Sequence, residues 1–231
     1  MMRLKTRGLR ELDLLGLLGT LVLLAMPLAP AQAQTAAITR DDVIAKLNHY
    51  ETDATIDVPA LRQQVLERSR SRSKNEPPPQ KRPPIAPDLT NLPTFNADIQ
   101  FDVDTPIVLP DSYQSVGRIA DALTHSSLLP YTFLIVGHIE STGRRENNVL
   151  LSQRRADAIR DILVNTFKIT AKRLQSVGLG EEQLLDSARP NAPVNNQVQI
   201  MLVAKVADIA PPAHPAPAAA AKKPAKPAKR H

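Results

Sequence analysis

The segment from Asn148 to Leu163 constrains the fold most, because it places an arginine on the apolar side of a predicted helix. At 100° per residue, one narrow face of this helix carries Asn148, Leu151, Ser152, Arg155, Ile159 and Ile162. The Arg155 guanidinium is therefore predicted to point where a core residue should point. Arginine keeps its charge, and an unpaired buried charge costs several kcal/mol, so Arg155 needs an acidic partner from the protein or from a ligand.

The first 33 of the 231 residues have the pattern of a secretory signal peptide. Four basic side chains come first, at Arg3, Lys5, Arg7 and Arg10. An apolar run from Leu14 to Leu28 follows, shorter than the ~20 residues of a membrane-spanning helix. Because Ala31-Gln32-Ala33 resembles a cleavage site, we expect cleavage after Ala33 and export to the periplasm, with outer-membrane association left open. An uncleaved N-terminal anchor is the alternative.

The chain after the signal peptide begins with an arm and a linker. Residues 34–68 hold two weakly amphipathic segments, predicted as short helices over Asp41–Tyr50 and Pro59–Arg70. They are too small to fold alone, so residues 40–70 are expected to dock on the domain or on another envelope protein. A mostly disordered arm is the alternative. Residues 69–96 are rich in proline and arginine, which predicts an extended, semi-rigid polyproline II linker.

Residues 97–206 alternate strand and helix patterns and are predicted to form the folded domain. The predicted elements, in the order β-α-β-α-β-β, are a strand over Ile99–Val103, a helix from Pro110, a strand over Tyr131–Gly137, a helix from about Asn147 to Phe167, and strands over Leu174–Val177 and Val198–Val206. Asn148 is a candidate cap of the long helix. This order predicts an α+β two-layer sandwich with helices on one face of a mixed four-stranded sheet.

The distribution of charge excludes a nucleic-acid-binding domain. The net charge of the chain is +6, but residues 97–206 carry twelve acidic and eleven basic side chains, for a net charge of −1. Residues 207–231 form an Ala/Pro/Lys tail with a net charge of +4, predicted to be disordered and able to contact anionic envelope polymers or lipid. We find no metal-ligand spacing, no nucleophile elbow and no cofactor motif, so neither an enzyme nor a bound cofactor is expected.

The motifs of residues 97–206 resemble those of the OmpA-like peptidoglycan-binding domain family, found in OmpA, Pal and MotB-type proteins. The family pattern on the long helix is met by Asn148, Leu151-Ser152, Arg155-Ala156, Ile159 and Leu163. Further matching features are Gly137-His138, Ser141-Thr142-Gly143 and Gly178-Leu179-Gly180-Glu181. The resemblance implies a non-enzymatic envelope protein that binds peptidoglycan.

The resemblance also implies which residues bind the meso-diaminopimelate of the peptidoglycan stem peptide. Glu140 stands at the position of the carboxylate that holds the ligand ammonium, and Arg155 at that of the guanidinium that holds the ligand carboxylate. Thr142 and Asn148 match positions that add hydrogen bonds, and Asp104 matches a position in the first loop. A ligand that is a zwitterion needs an anion and a cation close together, so the residue types fit independently.

Three departures from the family pattern affect the predicted pocket. Glu140 replaces an aspartate, Ile139 replaces a threonine, and Asn195-Asn196-Gln197-Val198 replaces Asn-Arg-Arg-Val. One alternative is therefore an envelope scaffold with a degenerate pocket, in which Arg155 and Glu140 form an internal salt bridge. A second is a stator-like protein with an uncleaved anchor. His138 is interpreted as a turn histidine bonded to backbone.

Overall fold

The computed structural model describes residues 38–48, 54–71 and 76–206. The predicted signal peptide and the predicted disordered tail lie outside the described residues. Within these three ranges, no helix combines the length and the apolar character that crossing a membrane requires.

The fold is built on a mixed four-stranded sheet. Its strands are β1 (Thr94–Ala97), β2 (Tyr131–His138), β3 (Leu174–Gly180) and β4 (Val198–Lys205). They are arranged in the order β1-β4-β2-β3, with β2 and β3 parallel and the other two pairs antiparallel. The α+β fold and the mixed four-stranded sheet predicted from the sequence are therefore confirmed.

One face of the sheet is covered by the two helices predicted for the domain. These are α3 (Tyr113–Leu123) and α4 (Arg145–Asn165), and a single turn of 3₁₀ helix at Pro110–Ser112 leads into α3. Their buried side chains meet those of the sheet in one core, which includes Val116, Ile119, Leu123, Ala156, Ile159, Leu163, Phe133, Ile135, Leu174 and Ile200. The arm helix α1 (Arg40–Leu47) joins the same core through Val43 and Leu47, which are fully buried.

The second arm helix covers the opposite face of the sheet. The predicted two-layer domain has helices on one face only and did not include this layer. Helix α2 (Val58–Arg70) buries Val58, Leu61 and Val65 against side chains of β2, β3 and β4. The segment after it adds Ala86, Leu89 and Leu92 to this second core. The prediction of an extended linker over residues 69–96 is therefore wrong for residues 85–96, which pack on the sheet or form β1. These apolar side chains gain burial only against a sheet that they precede in the chain, and local composition does not reveal that.

The first strand lies earlier than the sequence predicted. Ile99, Phe101 and Val103 alternate as a strand would, but Ile99 is buried, Phe101 forms a single bridge with Val108, and Val103 is 81% exposed. The chain turns back between Asp102 and Ile107, where the Asp102 amide donates to the Ile107 carbonyl oxygen at 2.8 Å. The alternation therefore marks a short hairpin, and β1 is the segment directly after Pro93.

Candidate functional site

Two glycines set the position of α4 on the sheet. Gly137 of β2 and Gly178 of β3 are neighbours, and a Cβ at either would lie 2.3 Å or less from a backbone atom of Ser152 or Gln153. The first half of α4 therefore rests directly on the strands, without side chains between. The helix begins at Arg145, and its N-cap Arg144 makes no side-chain capping bond, so the prediction of Asn148 as the cap is wrong. This close approach brings the buried polar face of α4 to the edge of the sheet.

An open groove of about 860 Å³ lies beside this end of α4. Its walls come from residues 96–101, the loop after β2, the first turns of α4 and the segment before β4. All five residues that the sequence singled out line it: Asp104, Glu140, Thr142, Asn148 and Arg155. The structure thus brings together residues that are up to 51 positions apart in the chain.

Arg155 crosses from α4 to the hairpin after β1 and is held there by neutral acceptors. Its Nε donates to the Thr105 carbonyl oxygen at 3.0 Å, Nη1 donates to Oδ1 of Asn196 at 3.0 Å, and Nη2 donates to the Asp102 carbonyl oxygen at 3.4 Å. The guanidinium also lies 4.8 Å from the centre of the Phe101 ring. Because a guanidinium has five N–H groups, one remains on each terminal nitrogen.

The charge of Arg155 has no direct counter-ion among the residues that the structure describes. The side chain is 8% exposed, and burial lowers the pKa of its guanidinium, an effect that the negative charge of nearby Asp104 opposes. Arg155 and Glu140 form no ion pair, so the alternative of an internal salt bridge between them is wrong. A buried cation with only neutral partners favours the approach of an anion from outside.

Glu140 is presented to the groove by the side-chain amide of Asn148. Nδ2 of Asn148 donates to the Glu140 carbonyl oxygen at 3.3 Å, and its Oδ1 accepts a hydrogen bond of 3.0 Å from the Thr142 hydroxyl. Asn148 therefore ties both sides of the loop after β2 to α4. The Glu140 carboxylate is half-buried and forms neither a hydrogen bond nor an ion pair with another described residue. It remains available to a cation.

Asp104 stands at the turn of the hairpin on the other side of Arg155. Its backbone is left-handed, with φ of 55°, a conformation that aspartate tolerates better than most residues. Its side chain is exposed and acts on Arg155 through charge rather than contact. Asp104 thus belongs to the electrostatic environment of the groove.

His138 lies beside the groove but does not line it. It ends β2, is 2% exposed, and holds its Nδ1 3.0 Å from the Gln183 carbonyl oxygen and its Nε2 2.9 Å from Oε1 of Gln199. Burial lowers the pKa of its imidazole. His138 is bonded to backbone as the sequence suggested, but within a strand rather than a turn, and it has the environment of a structural residue.

Sequence reasoning missed the residues that hold Arg155. Two are backbone carbonyl groups, of Asp102 and Thr105, which have no side-chain signature. The third, Asn196, was noted only as the loss of a cation, whereas its amide oxygen is a direct partner of Arg155. In the described part of the chain, no group of three or more histidine, aspartate or glutamate side chains could hold a metal ion.

Comparison with known proteins places this groove in a known type of domain. Residues 100–197 match the model of the OmpA family. Outer membrane porin F of Pseudomonas aeruginosa is 31% identical over 121 residues, which are 52% of this chain and 34% of that protein. The peptidoglycan-associated lipoprotein of Brucella melitensis biotype 1 is 33% identical over 85 residues, which are 37% of this chain and 49% of that protein.

A solved structure of an outer membrane protein from Borrelia burgdorferi B31 is 25% identical, with a TM-score of 0.38 over 48% of this chain and 86% of that one. The chain spans about a third of the length of the porin and about half that of the lipoprotein. The family model covers the long helix, the loop after β2 and the segment before β4. Residues 100–197 of this chain are thus similar to the domains of the OmpA family.

Proposed function

We propose that this chain is a non-enzymatic, periplasmic protein that binds peptidoglycan through the meso-diaminopimelate of the stem peptide. The free end of this amino acid carries an ammonium group and a carboxylate on one carbon. The groove offers a group of opposite charge to each. In this proposal Glu140 accepts from the ammonium group, and the two remaining N–H groups of Arg155 donate to the carboxylate.

The observation that carries this proposal is the environment of Arg155. A buried guanidinium, fixed by three neutral acceptors and open to a groove, is preorganised for an anion. A charge-assisted hydrogen bond contributes about 1.5–3 kcal/mol, so the pair supports modest affinity at one site. Because peptidoglycan is a repeating polymer, several such sites would hold the protein strongly.

The names of two relatives support both the proposed location in the cell envelope and peptidoglycan as the proposed ligand. One is named as an outer membrane porin and another as a peptidoglycan-associated lipoprotein. A protein of this kind would lie between the outer membrane and the wall, which agrees with the signal peptide expected over residues 1–33. Residues 40–70 are a candidate contact for envelope proteins. The basic tail is a candidate contact for anionic envelope polymers or lipid.

Co-sedimentation with purified sacculi tests the proposal. The wild-type protein should pellet with sacculi at low salt, and Arg155→Met should remain in the supernatant. Arg40→Ala is the matched control, because Arg40 is an exposed arginine on α1 that does not line the groove. If folded wild-type protein does not pellet, the proposal fails and a scaffold with a degenerate pocket accounts better for the chain.

A further inference from the structure

Two adjacent buried carboxylates follow β3, close to the arm helix α2. Glu181 is 3% exposed and Glu182 is 2% exposed. Buried charges are costly unless they are paired with good geometry. Arg145 pairs with both carboxylate oxygens of Glu182 at 2.7 Å. Arg68 approaches the same carboxylate at 3.2 Å, and Arg82 approaches Glu181 at 3.4 Å.

Three of the charged residues that surround these carboxylates come from the arm and from the segment that was predicted as a linker. Arg68 lies on α2, and Glu76 and Arg82 follow it. Glu76 joins the two halves, because its carboxylate lies 2.6 Å from Nη1 of Arg145 and 3.5 Å from Nε of Arg82. We name these residues the arm cluster: Arg68, Glu76, Arg82, Arg145, Glu181 and Glu182.

The arm cluster touches the binding groove through one side chain. Oε2 of Glu181 accepts a hydrogen bond of 2.7 Å from Nδ2 of Asn148, the same nitrogen that donates to the Glu140 carbonyl oxygen at 3.3 Å. Two acceptors thus share one amide group. Arg82 approaches the other oxygen of this carboxylate, Oε1 of Glu181, at 3.4 Å. Asn148 therefore lies between the arm cluster and the loop of Glu140.

We propose that Arg82 is a positioning residue for ligand binding, acting through Glu181 and Asn148 on Glu140. This inference rests on the proposed function. Without Arg82, the buried Glu181 carboxylate loses its cation and reorients, and the longer Asn148–Glu140 hydrogen bond is the contact that breaks first. The Arg82–Glu181 contact and affinity for the ligand are then linked, so each favours the other.

A double-mutant cycle tests the link. The measurement is the Kd of the full chain for a diaminopimelate-containing tripeptide, for the wild type, Arg82→Ala, Glu181→Gln and the double variant. Arg82→Ala should weaken binding at least about fivefold, the lower end of typical coupling between sites. In Glu181→Gln the side chain still accepts from Asn148 but carries no charge, so adding Arg82→Ala should change the Kd less than about twofold. Equal effects of Arg82→Ala in both backgrounds would overturn the inference.

Arg62→Ala is the matched control for loss of arm packing. Arg62 also lies on α2 and anchors it by donating to the Ser176 carbonyl oxygen at 3.0 and 2.6 Å, but it is outside the arm cluster. It should lower Tm and leave the Kd unchanged. If Arg82→Ala behaves in the same way, its role is only structural.

Hydrogen exchange without ligand separates this inference from the proposed function. The amides of Ile139 and Ser141 donate to the carbonyl oxygens of Gly180 and Pro190, at 3.1 and 2.9 Å. Arg82→Ala should speed exchange at both, and Arg82→Lys should restore slow exchange because it keeps the charge. If the wild type binds no stem peptide but exchange responds in this way, the proposed function fails while the positioning of the loop stands. Unchanged exchange in folded Arg82→Ala would contradict the positioning role.

Discussion

Arg155 and Glu140 line the same groove, yet their side chains form no ion pair with each other. In the described part of the chain, the Arg155 guanidinium donates hydrogen bonds only to neutral oxygen atoms. The Glu140 carboxylate bonds to no polar side chain there. The two charges therefore stay separate and open to the groove. An internal salt bridge between the two residues would stabilise the fold. Two separate charges are instead suited to binding a ligand that carries both a positive and a negative charge.

Arg155→Lys should lose binding although it keeps the positive charge. A lysine ammonium cannot hold the Asp102 and Thr105 carbonyl groups and Asn196 at once while presenting two parallel N–H groups. We expect the Kd for a diaminopimelate tripeptide to rise about tenfold or more, measured by isothermal titration calorimetry. Equal affinity of the lysine variant would show that charge alone suffices.

Glu140→Gln should weaken binding about 10- to 100-fold and leave Tm nearly unchanged, because the carboxylate bonds to no other described residue. Calorimetric titration and a thermal melt of the same sample measure the two effects. Glu140→Asp is the control and should preserve or strengthen binding. A matching loss of stability in Glu140→Gln would indicate a structural role for the carboxylate.

Asn196→Asp should weaken ligand binding by supplying an internal anion. The new carboxylate would lie where Oδ1 of Asn196 now lies, 3.0 Å from Nη1 of Arg155, and would neutralise the guanidinium. Tm should stay the same or rise, while the Kd rises about tenfold or more. Gln197→Glu is the control, because Gln197 lines the groove but donates to the Val194 carbonyl oxygen instead. An equal effect of both variants would point to a general effect of negative charge.

Stability should fall as the pH decreases below about 6.5, in part because of His138. Burial lowers the pKa of this imidazole in the folded state, so below the ordinary value the unfolded state binds more protons than the folded one. Its contribution is complete above pH 6.5 and is lost as the pH falls towards the lower, folded-state pKa. Urea unfolding at pH 7.5 and pH 5.0 should show a smaller loss in His138→Gln than in the wild type. Identical losses would contradict a buried, neutral His138.

Gly178→Ala should destabilise the domain by about 1–3 kcal/mol or more. The added Cβ would lie 2.1 Å from the backbone nitrogen of Gln153 and would push α4 off the sheet. Gly117→Ala is the matched control: its Cβ would have ordinary contact at 3.7 Å with the Phe167 ring, and alanine in a helix should add about 0.5–1 kcal/mol. Chemical denaturation measures both. Little destabilisation by Gly178→Ala would mean that α4 does not rest on the strands.

The parts of the fold that local patterns determine could be predicted from the sequence. The spacing of apolar residues gave α3, α4 and three of the four strands to within a few residues, because helix and strand periodicity are properties of the segment itself. The start of α1 is also a property of its own residues, because Thr39 is its N-cap and bonds to Asp42 in a capping box. Helical spacing likewise placed Arg155 and Asn148 on one mainly apolar face of α4.

The parts that depend on distant partners could not be predicted. The docking of α2 depends on contacts such as Arg62 with Ser176, 114 residues away, and the arm cluster joins residues 68–82 to residues 145–182. Asn196 became a site residue only when the segment before β4 was placed beside α4. The hairpin after β1 was hidden because Ile99, Phe101 and Val103 repeat at the spacing of a strand.

The most direct test of the central claim compares two stem peptides that differ only in the third residue. A diaminopimelate tripeptide carries both the ammonium group and the carboxylate, whereas a lysine tripeptide keeps the ammonium group and lacks the carboxylate. Titrated into the full chain at low salt, the diaminopimelate peptide should bind, and the lysine peptide should bind at least about tenfold more weakly because Arg155 then has no anion to hold. Equal affinity for the two peptides, or binding of neither, would contradict the account.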